Sequence, residues 1–421
     1  MKKILWIVNI LLTPISTKLT GKSSRGVWID PLLESFKGSG KYSLSVATTA
    51  NIKETVMTEE DGVRYYALPS SVPILYDENN PLNIRAWKDL IDEEKPDLIQ
   101  VWGTEFTHAL CALREAKGIP SVIYMQGFIG SVARHYTAGM TQKELRSAVS
   151  FRDILKRDTV LKQQEKYFSH TEKEREMFNL SGRIISENDW CGNSVKFASP
   201  GIKVYKCPLS INSVFSKQHW DIAKAEKHSV ICNASGYPLK GLHMILKAVA
   251  VLKEKYPDIK LYVPGDPMAC SNSFKDKLSK RGYNRFIEKL IKELDIDKNI
   301  VWLGNLPQEE LAAELASKRV FVLGSSIENH SSSLKEAMMV GVPCVASAVG
   351  GIPEYVRHGE NGFLYRFEEY DIMAEYIEKL FNDDELSEKI SCSARGDMIK
   401  LHGEDDTYAG IDAIYRDILN G

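Results

Sequence analysis

An alternation constrains this chain more than any single motif. Short apolar runs are separated by longer segments with helical spacing, and the rhythm occurs twice. In the first half, ILWIVNI (4–10), YSLSVATT (42–49), PDLIQVWG (96–103) and IPSVIYMQG (119–127) read as strands buried on both faces. WIDPLLESFKG, LNIRAWKDLIDEEK and THALCALREAKG read as the helices between them, two of the three ending at glycine. Strand–helix–strand alternation implies parallel strands joined by right-handed crossovers, the doubly wound α/β arrangement.

The rhythm restarts with SVICNAS, IKLYVPGD, NIVWLG, VFVLGSS and PCVASAV as strands. LHMILKAVAVLKEKYP, FIEKLIKELDI, EELAAELASK and LKEAMMVG are the intervening helices. An irregular, polar stretch near Pro208–Lys227 reads as a hinge. The expected division is a Rossmann-like domain over 1–210, a second over 211–400, and a C-terminal helix over 401–421 packing back on the first. Two such sheets facing each other create a cleft at the carboxyl ends of their strands, where ligands bind.

With 43% hydrophobic residues a packed core is expected, and a formal charge of −2 argues against a dedicated nucleic-acid binder. Seven scattered cysteines without a Cys-x-x-Cys pair fit a reducing cytoplasm better than a disulfide scaffold or zinc site. The N-terminal MKKILWIVNILLTPIS resembles a signal peptide. Asn9 interrupts its apolar run, and no small-residue cleavage site follows Leu12, so a first buried strand is the favoured reading. No stretch reaches the roughly 18 apolar residues of a membrane span.

The stretch SSIENHSSSLKEAMMVGVPCVAS (325–347) carries Glu328 and Glu336 with seven residues between them. Ser333 and Glu336 fit a capping box at the start of a short helix, which explains Glu336 structurally. It leaves Glu328, His330, Ser331 and Ser332 unexplained. A helix N-terminus also attracts anions, so the amides of Ser331, Ser332, Ser333 and Leu334 suit a phosphate. A carboxylate one turn in suits a sugar diol.

Together with AMMVGVPCVASAVGGIPEYVRHGENGFLY, ASGYPLKGLHMILKAVAVLKEKYPDIKLYVPGD and NIVWLGNLPQEELAAELASKRVFVLGSS, this spacing resembles the signature of family-4 glycosyltransferases of the GT-B fold. The likeness covers nearly all of 228–365; the first half resembles the family only in architecture and short pieces. The resemblance implies a retaining, nucleotide-sugar-dependent transferase with two Rossmann-like domains. In that family the motif's first glutamate faces the donor sugar and the second holds the ribose hydroxyls, here Glu328 and Glu336. The family's diphosphate lysine corresponds to Lys240, and a lysine there offsets charge developing on the leaving group.

The chain also departs from the pattern. Where the family carries a second cation, five residues before the lysine, this chain has Ser235, followed by Gly236. Arg183 in SGRIIS is a candidate substitute or a structural arginine. Where the family presents a histidine near the sugar, this chain has Gln126 and Gly127, and Gln126 cannot take a proton. His135 is a candidate for that work, against a structural role, and His330 is a candidate to touch the donor. Gly350 and Gly351 suit a tight backbone approach to the donor or an ordinary turn. The segment ILLTPISTKLTGKSSRG reads as the first strand-to-helix loop. Its TGKSS is not a phosphate loop, because Ser16 stands where that motif requires glycine. Asp295-Ile296-Asp297 reads as an ordinary turn rather than a metal site, and the family needs no metal or cofactor. Residues 134–166 carry eight Lys/Arg against four Asp/Glu with apolar residues interspersed, fitting either an anionic membrane surface or a solvated helix face.

The expected function is transfer of a sugar from a UDP- or GDP-sugar to a glycan or lipid-linked acceptor. The expected location is cytoplasmic, with a peripheral contact at the inner face of the plasma membrane. The alternatives are a GT-B sugar-nucleotide epimerase, a phosphorylase, or a catalytically silent GT-B binding subunit.

Overall fold

A computed structural model describes residues 1–23, 29–71, 78–233, 236–265, 280–402 and 407–421. The chain forms two compact units. The first comprises 1–129, 168–210 and 406–421; the second comprises 130–167 and 211–405.

Eight strands build the first unit's sheet among the described residues. They are β1 (Lys2–Ile7), β2 (Tyr42–Ala50), β3 (Val56–Glu60), β4 (Val63–Pro69), β5 (Leu98–Trp102), β6 (Ser121–Tyr124), β7 (Arg183–Ser186) and β8 (Lys203–Lys206). Their order is β3-β4-β2-β1-β5-β6-β7-β8, and every pair is parallel except β3–β4. The apolar N-terminal run is the central strand, with Ile4 to Ile7 at 1% exposure or less. The antiparallel hairpin β3–β4 turns on Asp61-Gly62, both at positive φ (51° and 75°). The segment read as the first strand-to-helix loop holds a helix, Thr13–Thr20, with proline in its first turn and Gly21 closing it at φ 70°.

The C-terminal helix Thr407–Asn420 packs on this sheet. Trp6 Nε1 donates to Tyr415 Oη at 2.9 Å, and Tyr415 Oη donates in turn to Gln100 Oε1. Tyr42 Oη donates to Asp412 at 2.8 Å, so both ends of the chain share one core.

The second unit's sheet is wholly parallel. Its strands are β9 (Glu226–Cys232), β10 (Lys260–Pro264), β11 (Ile300–Gly304), β12 (Lys318–Leu323), β13 (Cys344–Ser347) and β14 (Phe363–Tyr365). Their order is β11-β10-β9-β12-β13-β14. Residues 130–167 also belong to this unit, although the sequence boundary at 210 assigns them to the first. The physical reason is a set of inward polar ties. Buried His243 donates from Nε2 to the Ala138 carbonyl at 2.9 Å. Lys247 pairs with Glu144 at 2.8 Å, and Asp153 accepts the Gly282 amide at 2.6 Å.

Each sheet has a point where the chain reverses its direction of growth. In the first unit it lies between β1 and β5, and in the second between β9 and β12. Such points open a crevice at the carboxyl ends of the strands.

Candidate functional site

In the second unit, the loops after β9 and β12 meet at the reversal point. After β9, Pro238–Lys240 forms a single 3-10 turn closed by Gly241 at φ 64°. Glycine is required at 241, since a Cβ would stand 1.7 Å from the Gly324 carbonyl oxygen. The Ser326 amide donates to the Leu239 carbonyl at 2.7 Å, tying the two loops together. This brings Lys240 Nζ to 2.5 Å from Glu328 Oε1. Burial pulls the Lys240 ammonium down, but facing Glu328 more than offsets this and holds its pKa above the usual lysine value. Glu328 also accepts from Ser325 Oγ at 2.6 Å.

Gly350 and Gly351 hold Glu328 from behind. The Gly351 amide donates to the Glu328 carbonyl at 3.2 Å, and a Cβ on Gly350 would meet that oxygen at 1.8 Å. The close backbone approach expected there is made to Glu328 itself.

The helix after this loop runs Ser332–Val340 and is capped by Ser331, whose Oγ accepts the Leu334 amide at 3.4 Å. The expected capping box of Ser333 and Glu336 is therefore not formed, because Ser331 takes the cap position. Ser333 Oγ instead accepts from Asn233 Nδ2 at 2.8 Å. The cap also consumes the Leu334 amide, and the Leu334 side chain is core. The amides of Ser332 and Ser333 remain without an intrahelical acceptor.

Displaced from capping, Glu336 lies half-buried within the helix. Among the described residues its carboxylate makes no hydrogen bond or ion pair. Burial pushes its pKa up to about 7, against a pull from Lys335. Lys335 is 2% exposed, and its Nζ donates to His330 Nδ1 at 3.0 Å. An ammonium only donates, so a neutral His330 carries its proton on Nε2. The His330 ring meets Tyr355 edge-on at 4.9 Å.

The remaining candidates scatter. Gly236 sits beside Asn284, with a Cβ there coming 3.2 Å from its Oδ1. Ser235 lies outside the described residues. His135 ends the helix Ile129–His135, and its carbonyl accepts from Ser326 Oγ at 3.1 Å, beside the Glu328 loop. Partial burial, then Arg134, hold its pKa below the usual histidine value. Asp295 is held by Lys253 at 2.9 Å. Arg183 opens β7, at the amino end of a parallel strand. That edge is opposite the carboxyl ends of the strands, where ligands bind in such sheets.

Gln126 and Gly127 follow β6, one strand beyond the reversal point of the first unit. There the structure adds a residue that sequence reading missed, Glu105 in the loop after β5. Gly103, at φ 80°, makes room for it: a Cβ on Gly103 would stand 2.0 Å from Glu105 Oε2 and 2.8 Å from Gln126 Oε1. Glu105 Oε2 is buried without a hydrogen-bond partner among the described residues. Burial pushes the carboxyl up to about 7, against the pull of the Glu105 and Gly127 amides. Its loop is anchored by Thr104, whose Oγ1 donates to Glu174 at 2.7 Å and whose carbonyl accepts from His170 Nε2 at 3.0 Å. The Gly-Thr-Glu step directly after a buried strand was the available signal.

Residues 214–397 match the family model described as Glycosyl transferases group 1. Among curated proteins, the chain is 28% identical over 205 residues to the N-acetyl-alpha-D-glucosaminyl L-malate synthase of Bacillus anthracis, covering 48% of this chain and 49% of that protein. It is 30% identical over 147 residues to a D-inositol 3-phosphate glycosyltransferase of Corynebacterium urealyticum, covering 35% of this chain and 33% of that protein. The chain thus spans half the length or less of these relatives. Among solved structures, the sucrose-phosphate synthase of Thermosynechococcus elongatus matches with a TM-score of 0.74 at 16% identity over 100% of both chains. Anabaena HepE in complex with UDP-glucose matches at 0.66 and 15%, again over 100% of both. The fold is the GT-B fold, two Rossmann-like units.

Proposed function

We propose that this chain, whose residues 214–397 match the model of the group-1 glycosyl transferases, transfers a sugar from a nucleoside diphosphate donor to a hydroxyl acceptor. The observation that carries this reading is the convergence of Lys240, Glu328 and the capped helix start at one reversal point, with Glu336 in that helix making no hydrogen bond or ion pair among the described residues.

In the structure Lys240 and Glu328 satisfy each other. A donor separates their tasks. Lys240 turns to the diphosphate and stabilises the charge that grows as the leaving group departs. Glu328 accepts hydroxyls of the sugar, and the amides of Ser332 and Ser333 meet phosphate oxygens. His330 offers its Nε2 proton. Ionised Glu336 accepts the two ribose hydroxyls. In the first unit, Glu105 and Gln126 accept acceptor hydroxyls.

The resemblance to the family supports retention of configuration. The bond from the anomeric carbon to the leaving phosphate breaks, and a bond to the acceptor oxygen forms on the same face. The acceptor's proton passes to the leaving phosphate. The reaction as proposed uses no metal or cofactor besides the donor. The UDP-glucose complex of HepE supports a UDP-sugar. A lipid-linked or glycan acceptor at the inner face of the plasma membrane follows from the family resemblance.

Incubation with a panel of UDP- and GDP-sugars tests the proposal by nucleoside diphosphate release. Release that depends on acceptor supports transfer. Epimer formation without acceptor, or nucleotide binding without turnover, replaces it with the epimerase or the silent subunit.

A further inference from the structure

One surface has no role in that chemistry. The short helix Phe151–Lys156 is fixed by its inner side. Ser150 and Asp153 form its capping box, and Asp153 Oδ2 also accepts the Gly282 amide at 2.6 Å. Gly282 permits the seat, since a Cβ there would stand 2.1 Å from the Ala148 carbonyl oxygen. The outer side is apolar: Phe151, Ile154 and Leu155 are 64%, 61% and 68% exposed. Positions i, i+3 and i+4 share one helix face, so these three side chains form a single outward patch.

The charges around the patch are sorted. Residues 141–162 contain three acidic side chains, Glu144, Asp153 and Asp158. Each is occupied: Glu144 with Lys247 at 2.8 Å, Asp153 with the Gly282 amide, and Asp158 with Arg152 at 3.1 Å. Lys143, Arg146, Lys156 and Arg157 are exposed and form no ion pair among the described residues. The local outward charge is basic, although the chain as a whole carries −2.

We propose that the Phe151–Lys156 helix is a docking surface for an anionic lipid bilayer. The three apolar side chains enter the headgroup boundary, and the unpaired cations meet lipid phosphates. A solvated helix face has no use for three adjacent large apolar groups. The complementary charge decides for an anionic bilayer over a neutral one. The inference deepens the reading of a membrane-held acceptor, but its test needs no turnover.

The full chain is sedimented with vesicles of phosphatidylcholine alone or mixed with phosphatidylglycerol, without donor or acceptor. Wild-type protein is expected to bind the mixed vesicles and to be released by salt. The triple variant Phe151→Ser, Ile154→Ser, Leu155→Ser is expected to lose about tenfold or more in binding. Lys156→Glu with Arg157→Glu weakens it further at low salt than at high salt. Melting temperature and UDP affinity of both variants stay at the wild-type value, so loss of binding is not loss of fold. Equal binding of the triple variant, or equal wild-type binding to phosphatidylcholine alone, overturns the proposal. So does a wild-type dimer that ignores vesicles and becomes monomeric in the triple variant, which would make the patch a self-interface. A failure here leaves the nucleotide site standing, and failure to bind UDP leaves this surface standing.

Discussion

The two units place different chemistry at the same topological position. Each sheet reverses beside its first strand, and each carries loops across the carboxyl ends there. The second unit puts an ion pair at that point, Lys240 with Glu328, beside a helix start. The first unit puts two side-chain acceptors there, Glu105 and Gln126, converging over Gly103. A cation and amides without an intrahelical acceptor suit a diphosphate, whereas two side-chain acceptors suit hydroxyls. On the proposed reading, a handful of loop residues divides one architecture between a charged donor site and an acceptor site.

Lys240→Ala is expected to break this division most severely. Loss of one fixed group facing developing charge costs on the order of a hundredfold to a thousandfold in turnover. Nucleoside diphosphate release measures it, and a rate within threefold of wild type would remove Lys240 from the leaving-group site.

The glycines sharpen the contrast through stability. At Gly350 a Cβ meets backbone, the Glu328 carbonyl at 1.8 Å, and φ is 53°. At Gly103 it meets the far ends of two side chains. Gly350→Ala should therefore cost about 3 kcal/mol or more, and Gly103→Ala distinctly less. Thermal melts of the two variants check the order, and equal losses would show that Glu105 cannot yield.

Glu336 gives a pH signature. Its pKa in the fold, about 7, exceeds the ordinary 4.5. Its ionisation therefore opposes folding: stability present below pH 4.5 is lost as pH rises through about 7. The ionised form accepts a hydroxyl at each oxygen with full charge, so nucleotide affinity should rise over the same interval. Glu336→Gln should flatten both trends and weaken nucleotide binding roughly tenfold at pH 8. A wild-type affinity that is flat with pH would take Glu336 off the ribose.

Glu105→Gln carries the smallest expected effect. It keeps shape and one acceptor, so the acceptor KM should rise severalfold while UDP affinity is unchanged. A change in UDP affinity instead would move Glu105 to the donor side.

Legibility in the sequence followed the same divide. Both sheets could be read from apolar runs, because parallel strands buried on both faces need no polar alternation. The β3–β4 hairpin was missed although Asp61-Gly62 signals it, since the alternation suggested crossovers throughout. In the second unit, Glu328 and His330 lie in one spaced motif and Lys240 in a separate stretch that resembles the same family, so the meeting of Lys240 with Glu328 was legible. The capping register was not, because three consecutive serines offer equivalent caps and only tertiary partners choose Ser331. Residues 130–167 were assigned by chain order, while their attachment rests on distant partners such as Gly282 and His243. Glu105 was missed for a related reason: the Gly-Thr-Glu step marks its loop, but its close neighbour Gly127 lies one strand away.

The most direct test of the division is a calorimetric titration of UDP into wild type, Lys240→Ala, Glu336→Gln and Glu105→Gln at pH 8. Binding by wild type, weakened about tenfold or more in the first two variants and unchanged in the third, is the predicted result. Unchanged affinity in Lys240→Ala and Glu336→Gln, with loss in Glu105→Gln, would place the nucleotide on the first unit and contradict it.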